Sequence, residues 1–184
     1  MVTADSSSTA SASRSWWPVI ALGVVTITSY GSWFYAFGIL VDPISDDTGW
    51  SLGALGAVFA AAQIINGLGA SVGGRLLDRF GGQALFAVQA AGAAILLLSA
   101  SATNQLLFGA LYAVGAGIVG TTGFYHVTTA AAARLGPTTP AKAITVLTAI
   151  GAFCSPIYLP LGQMLIDEIG WRPASRVFAL TAIA

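Results

Sequence analysis

Two short patterns in this sequence carry the residue types of catalysis. Gly69-Ala70-Ser71-Val72-Gly73 has the G-x-S-x-G spacing that exposes a nucleophilic serine on a sharp strand-to-helix turn, and His126, the single histidine, would be its base. Gly115-Ala116-Gly117-Ile118-Val119-Gly120 has the G-x-G-x-x-G spacing that brings backbone close to a pyrophosphate at a helix N-terminus. Both chemistries need a strand before the glycines and water around the substrate. Each pattern lies instead inside a long apolar run rich in small residues, where glycines at close spacing let another helix backbone approach. Packing is the better reading of both, with an intramembrane hydrolase as the alternative.

A different set of residues suits binding. Polar side chains in an apolar run are costly in hydrocarbon, so they tend to face a cavity or a partner. Thr26, Ser29, Tyr30 and Trp33 recur at the 3/4 spacing of one helical face and offer hydroxyls beside an aromatic wall. Gln63 and Asn66 follow in the second apolar run, Gln89 in the third, and Thr121, Thr122, Tyr125 and His126 in the fourth. The candidate solute-binding residues are therefore Ser29, Tyr30, Trp33, Gln63, Asn66, Thr122 and His126. His126 has the side chain whose ordinary pKa lies near neutrality, which suits either proton coupling or a hydrogen bond near the membrane interface. Cys154 reads as a small buried packing residue. No spacing suggests a metal-ligand set, and neither a catalytic residue nor a cofactor is expected.

The elements that must hold these side chains follow from composition. Of 184 residues 56% are hydrophobic and only 8% are charged, and Gly occurs 22 times. Soluble domains carry roughly 25% charge, and the mean hydropathy of +0.81 belongs to a chain that cannot wet its surface. Seven basic residues balance seven acidic ones, so no net field draws nucleic acid, and a single Cys excludes a disulfide framework. A helix needs about 20 apolar residues to cross about 30 Å of hydrocarbon, so roughly six crossings fit. The runs do not alternate as the strands of a membrane barrel do, and the expected class is an all-α integral membrane protein.

The spans read as about 16–41, 51–74, 83–100, 106–133 and 143–166, with an incomplete sixth at 176–184. Residues 1–15, rich in Ser, Thr and Ala, read as a disordered cytoplasmic tail. The acidic turn Asp42-Pro43-Ile44-Ser45-Asp46-Asp47 is expected to stop the first span, and Asp167 and Glu168 the fifth. Pro156 and Pro160 should kink the fifth span. Arg14, Arg75, Arg79, Arg134 and Lys142 fall on one side, against Arg172 and Arg176 on the other, so the N-terminus is expected in the cytoplasm of a multi-pass inner-membrane protein. Trp16 and Trp17 would mark the inner interface, and Trp50 and Trp171 the outer one.

Between the second and third spans stands Gly74-Arg75-Leu76-Leu77-Asp78-Arg79-Phe80-Gly81-Gly82, an acid flanked by two arginines in a glycine-rich turn. It resembles the signature loop of the major facilitator superfamily, G-x-L-a-D-r-x-G-r-k, at Gly74, Leu76, Asp78, Arg79 and Gly81, while Gly82 and Gln83 replace the closing basic pair. Phe37-Gly38-Ile39-Leu40, Thr48-Gly49-Trp50-Ser51 and Ile169-Gly170-Trp171-Arg172, in that order, resemble bacterial monocarboxylate and oxalate/formate-type members. The loop before the fifth span departs from that subgroup, keeping only Arg134 and Lys142 as cations.

The resemblance implies the six-helix half of a major-facilitator fold, two three-helix inverted repeats, with the last helix truncated. It implies secondary transport of a small organic solute, in the subgroup a monocarboxylate moved with protons, by alternating access. Asp78 and Arg79, with Gly74 and Gly81, would form the gating loop that docks on the other half. The implied partners are membrane lipid, the small-molecule solute, and a missing C-terminal half or second subunit. No Lys, Arg, Asp or Glu lies within the first five spans, so a carboxylate would need its cation from outside them. A non-transporting membrane assembly protein is a further alternative.

Overall fold

The first span begins with helix α1, Trp17–Ser29, whose second residue, Pro18, has a fixed φ that suits an opening helical turn. It continues through a π-helical turn, Tyr30–Tyr35, into α2, Ala36–Thr48. This computed structural model describes residues 15–183, so the expected tail lies outside the described residues apart from Ser15. The acidic segment 42–47 does not end the helix. The backbone stays helical through Pro43 to Thr48 and stops at Gly49, whose left-handed φ of 73° lets its N–H close on the Ser45 carbonyl.

Helix α3, Leu52–Ser99, opens on Ser51, whose hydroxyl accepts from the Ala54 N–H at 3.2 Å. Its 48 residues correspond to about 72 Å of helix, too long for one crossing, and it breaks at Gly81 (φ 74°, ψ −173°) into two arms. The segment read as a turn, Gly74 to Gly82, is thus helical except at this residue. Both arms pack on α4, Gln105–Gly123. A Cβ on Gly117 would strike Ile65 of the first arm, and one on Gly115 would strike Leu96 of the second. The dinucleotide-like glycines are helix-packing positions.

The fourth span changes direction at Phe124, an extended residue (φ −81°, ψ 168°) between α4 and α5, Tyr125–Leu135. The fifth divides at Ala152 and Phe153 into α6, Pro140–Gly151, and α7, Cys154–Ile169. Pro156 lacks the N–H that would bond the Ala152 carbonyl, which accounts for the division. Helix α8, Trp171–Thr181, follows Gly170 (φ 80°). It starts earlier than the expected 176 because Arg172 and Arg176 lie in its first turns, where Arg172 donates to the carbonyls of Ala100 and Ala102 at 3.1 and 3.0 Å. No strand occurs among the described residues, and four continuous helical stretches are long and apolar enough to cross a membrane.

The core is an aromatic column. It runs from Trp50, Phe108 and Trp171 at the Asp47 end, through Tyr112, Phe37 and Phe59, to Trp33, Phe124 and Tyr30. Large apolar side chains such as Leu68, Leu106 and Phe153 remain exposed on the flanks, as expected of a surface solvated by lipid.

Candidate functional site

Three spans lose regular helical geometry in the same neighbourhood: the first at its π turn, the fourth at Phe124, and the fifth just before Cys154. A π turn carries one extra residue and is frequent at functional sites. Here it swings Tyr30 onto Phe124, ring over ring at 3.6 Å and 5°, and lays Trp33 parallel to the same ring at 5.3 Å and 2°. Tyr125 closes on Tyr30 at 5.2 Å. The Cys154 thiol donates to the Ile27 carbonyl at 3.2 Å, tying the fifth span to the first. Tyr112 donates its hydroxyl to the Trp33 carbonyl at 3.0 Å, which anchors the π turn to α4.

The candidate polar residues divide into two groups. Ser29 and Thr122 belong to a buried network centred on Gln89. The Gln89 amide N–H2 donates to Ser29 Oγ at 3.2 Å and to the Ala182 carbonyl at 2.9 Å, while Thr122 donates to Gln89 Oε1 at 3.4 Å. A second buried pair, Thr26 to Thr128 at 2.9 Å, stitches α1 to α5. These groups spend their hydrogen bonds holding helices together.

Trp33, Gln63 and Asn66 form the other group. Trp33 is fully buried, yet its indole N–H finds no acceptor, and the side-chain oxygens Gln63 Oε1 and Asn66 Oδ1 are equally shut away without a donor. Trp33 and Asn66 converge on Gly120: a Cβ there would stand 2.8 Å from Asn66 Oδ1 and 3.0 Å from Trp33 Cζ2. Gln63 lies one turn before Asn66 on α3. Native structures leave few such atoms unpaired, since each costs about 1–3 kcal/mol. His126 stands apart, exposed, with Nε2 3.2 Å from the Thr121 carbonyl.

Ser71 is exposed on α3, in continuous helix, and Gly69 and Gly73 press against Thr121 of α4. The strained turn that a serine nucleophile needs does not form there.

At the other end of α3's first arm, Asp78 pairs with Arg134 of α5, both side chains more than half exposed. Arg79 instead lies 5.3 Å from the Phe80 ring centroid. Gly74 is within the helix, with nothing near its missing side chain, and Gly81 makes the break. Beside this pair, an apolar cavity of about 430 Å³ runs between α1, α3 and α5, walled by Leu22, Val25, Leu85 and Leu135, with Gln89 and Arg134 among its few polar residues.

Sequence reasoning missed Phe124, Gly120, Arg134 and the hub role of Gln89. Arg134 carried a usable signal, an opposite charge placed on the Asp78 side by the span count, and Gln89 another, an amide in an apolar run.

No curated protein matches this chain. A family model described as Major Facilitator Superfamily matches residues 22–184, which takes in every span but the opening turn of the first, and the charged break at Gly81. The chain therefore belongs to the Major Facilitator Superfamily, and its work is secondary transport across a membrane rather than catalysis.

Proposed function

We propose that this chain is the N-terminal half of a secondary transporter of the inner membrane, moving a small organic solute past the junction of Tyr30, Trp33, Phe124, Gln63 and Asn66. The observation that carries the reading is the coincidence, at one depth, of helix breaks in three spans with buried polar atoms that no protein group satisfies. Irregular backbone is tolerated at membrane depth where it borders a cavity or protein, and transporters place substrate there. The opposite wall comes from a C-terminal half or a second subunit, six helices facing six. Ser29 and Thr122 support this wall from behind, and His126 lies toward the Asp78 end of the fourth span.

In this reading the Asp78 end is cytoplasmic, as is the N-terminus, and the pair Asp78–Arg134 fixes the end of α3's first arm, beside the Gly81 break, that docks on the other half. Arg79 and the Gly74–Gly81 segment supply the rest of the gate. A monocarboxylate carried with a proton, suggested by the subgroup resemblance, is the more specific form of the proposal; it requires a cation from the facing half.

The test is uptake. Proteoliposomes holding the full-length protein should accumulate at least one labelled solute from a panel of small acids, polyols and amides, saturably. Asp78→Asn should lower that uptake several-fold while shifting thermal stability little, because an exposed ion pair contributes about 1 kcal/mol or less. Unchanged uptake in Asp78→Asn removes the gating assignment, and no saturable uptake of any solute removes the transport proposal.

A further inference from the structure

The buried core of this chain is in two pieces. The larger draws on the π turn, α2, α3, α4, α7 and α8, and none of its buried residues comes from α1, α5 or α6. Those three helices bury a small core of their own, Val19 of α1, Ala132 of α5, and Ala143 and Leu147 of α6, with Leu22, Tyr125 and Val146 packed around it. Other contacts knit the same three helices together. Thr26 of α1 donates to Thr128 of α5 at 2.9 Å, a Cβ on Gly23 of α1 would stand 2.7 Å from Ile150 of α6, and one on Gly151 of α6 would strike the Tyr125 hydroxyl of α5.

Each of these helices is the Asp78-side half of a broken span: α1 ends at the π turn, α5 starts after Phe124, and α6 ends at Ala152 and Phe153. The breaks stand side by side, since Tyr30 stacks on Phe124 and the Cys154 thiol bonds the Ile27 carbonyl. A helix bends most readily where its hydrogen-bond ladder is interrupted. The Gln89 bonds to Ser29 and Thr122 fall at this same level, so bending there leaves them in place. At the far end the tie to α3 is Asp78–Arg134, the one ion pair among the described residues, and exposed pairs of this kind hold weakly. We infer that α1, α5 and α6 form one rigid unit, hinged at the π turn, Phe124 and Ala152–Phe153, that tilts against the rest of the bundle, with Asp78–Arg134 as its catch. This goes beyond the transport reading: the half bends at mid-depth instead of rocking as a single block, whatever the solute.

The test uses full-length protein in lipid nanodiscs, with spin labels on pairs of introduced cysteines. Ser71→Cys on α3 with Lys142→Cys, at the far end of α6, spans the hinge, and Ser71→Cys with Leu161→Cys on α7 lies on one side of it; all three positions are exposed. Helix α5 has 11 residues, about 16 Å, so a tilt of about 10° carries the far end of the unit about 3 Å. In Asp78→Asn the 71–142 distance, read by pulsed electron–electron resonance, should shift or broaden by about 3 Å, while the 71–161 distance stays fixed. Leu147→Ala cuts the small core alone. It should speed amide exchange about tenfold or more in α1, α5 and α6 together and leave α4 and α7 as they were, although these continue two of the same spans. An unmoved 71–142 distance, an equal change in both distances, or Leu147→Ala exchange that stays within α6 or spreads evenly into α4 and α7 overturns the hinged unit. Those results leave saturable uptake, and with it the transport reading, standing; absent uptake with the expected distances and exchange removes the transport reading and keeps the hinge.

Discussion

Gln89 holds more of this bundle together than its single amide suggests. It joins the second arm of α3 to α1 through Ser29, to α4 through Thr122, and to the end of α8 through the Ala182 carbonyl. Replacing it by Leu preserves volume but strands Ser29 Oγ and the Ala182 carbonyl in a buried place. Thr122 is less affected, because its hydroxyl also reaches the carbonyls of Ile118 and Val119 at 3.1 and 3.2 Å. Gln89→Leu should therefore lower stability by roughly 1–3 kcal/mol, read as an earlier thermal or denaturant midpoint in detergent. An unchanged midpoint would mean that water already serves these groups. The opposite sign is expected for Asn66→Leu, because the Gln89 amide is satisfied whereas the buried Asn66 oxygen is not. Sequence alone shows both as amides in apolar runs and ranks Asn66, not Gln89, among the binding candidates. What separates them is partners more than twenty residues away in sequence, which no local pattern records.

Among the elements, α3 depends on a single residue for its shape. Gly81 combines φ 74° with ψ −173°, a region that only glycine occupies readily, whereas Gly49, with ψ 10°, sits where Asn is also tolerated. A Cβ at Gly81 would touch nothing, so the cost of Gly81→Ala is purely one of backbone conformation. That cost is of order 1–3 kcal/mol or more, and it falls on the relation between the two arms. The expected result is a lower melting temperature together with looser packing of the arms on α4, measured as faster amide exchange at Gly115 and Gly117. Gly82→Ala, one residue on and in ordinary helical conformation, should be nearly silent. The existence of long apolar helices was legible in the runs themselves, since hydrocarbon length leaves little choice. Their irregularities were less so. Phe124 is neither Gly nor Pro, and nothing in Tyr30–Tyr35 announces a π turn, because both are set by rings that meet only after the helices pack. The acidic segment misled in the other direction. Pro43 and the three aspartates suggest a stop, but the chain needs a left-handed residue to turn, and Gly49 is the first one available.

For the molecule as a whole, the distribution of charge predicts how it sits in the membrane. Arg75, Asp78, Arg79, Arg134 and Lys142 gather at one end, tied by the Asp78–Arg134 pair, while Asp47 at the other end accepts from the Trp171 indole at 2.9 Å. Short loops rich in Lys and Arg stay on the cytoplasmic side, and acidic residues have little influence. The Asp78 end should then face the cytoplasm and the Asp47 end the outside. Asp46 and Lys142 report on the two ends, since both are exposed. In intact cells a membrane-impermeant maleimide should label Asp46→Cys at once and Lys142→Cys only after permeabilisation, and Cys154, buried at 2% exposure, should contribute no background. Inverted labelling would put the Asp78 cluster outside. The ion pair would still hold α3 to α5, but it would no longer stand where the proposed cytoplasmic gate must close, and the proposed junction at Trp33 would be reached from the opposite direction.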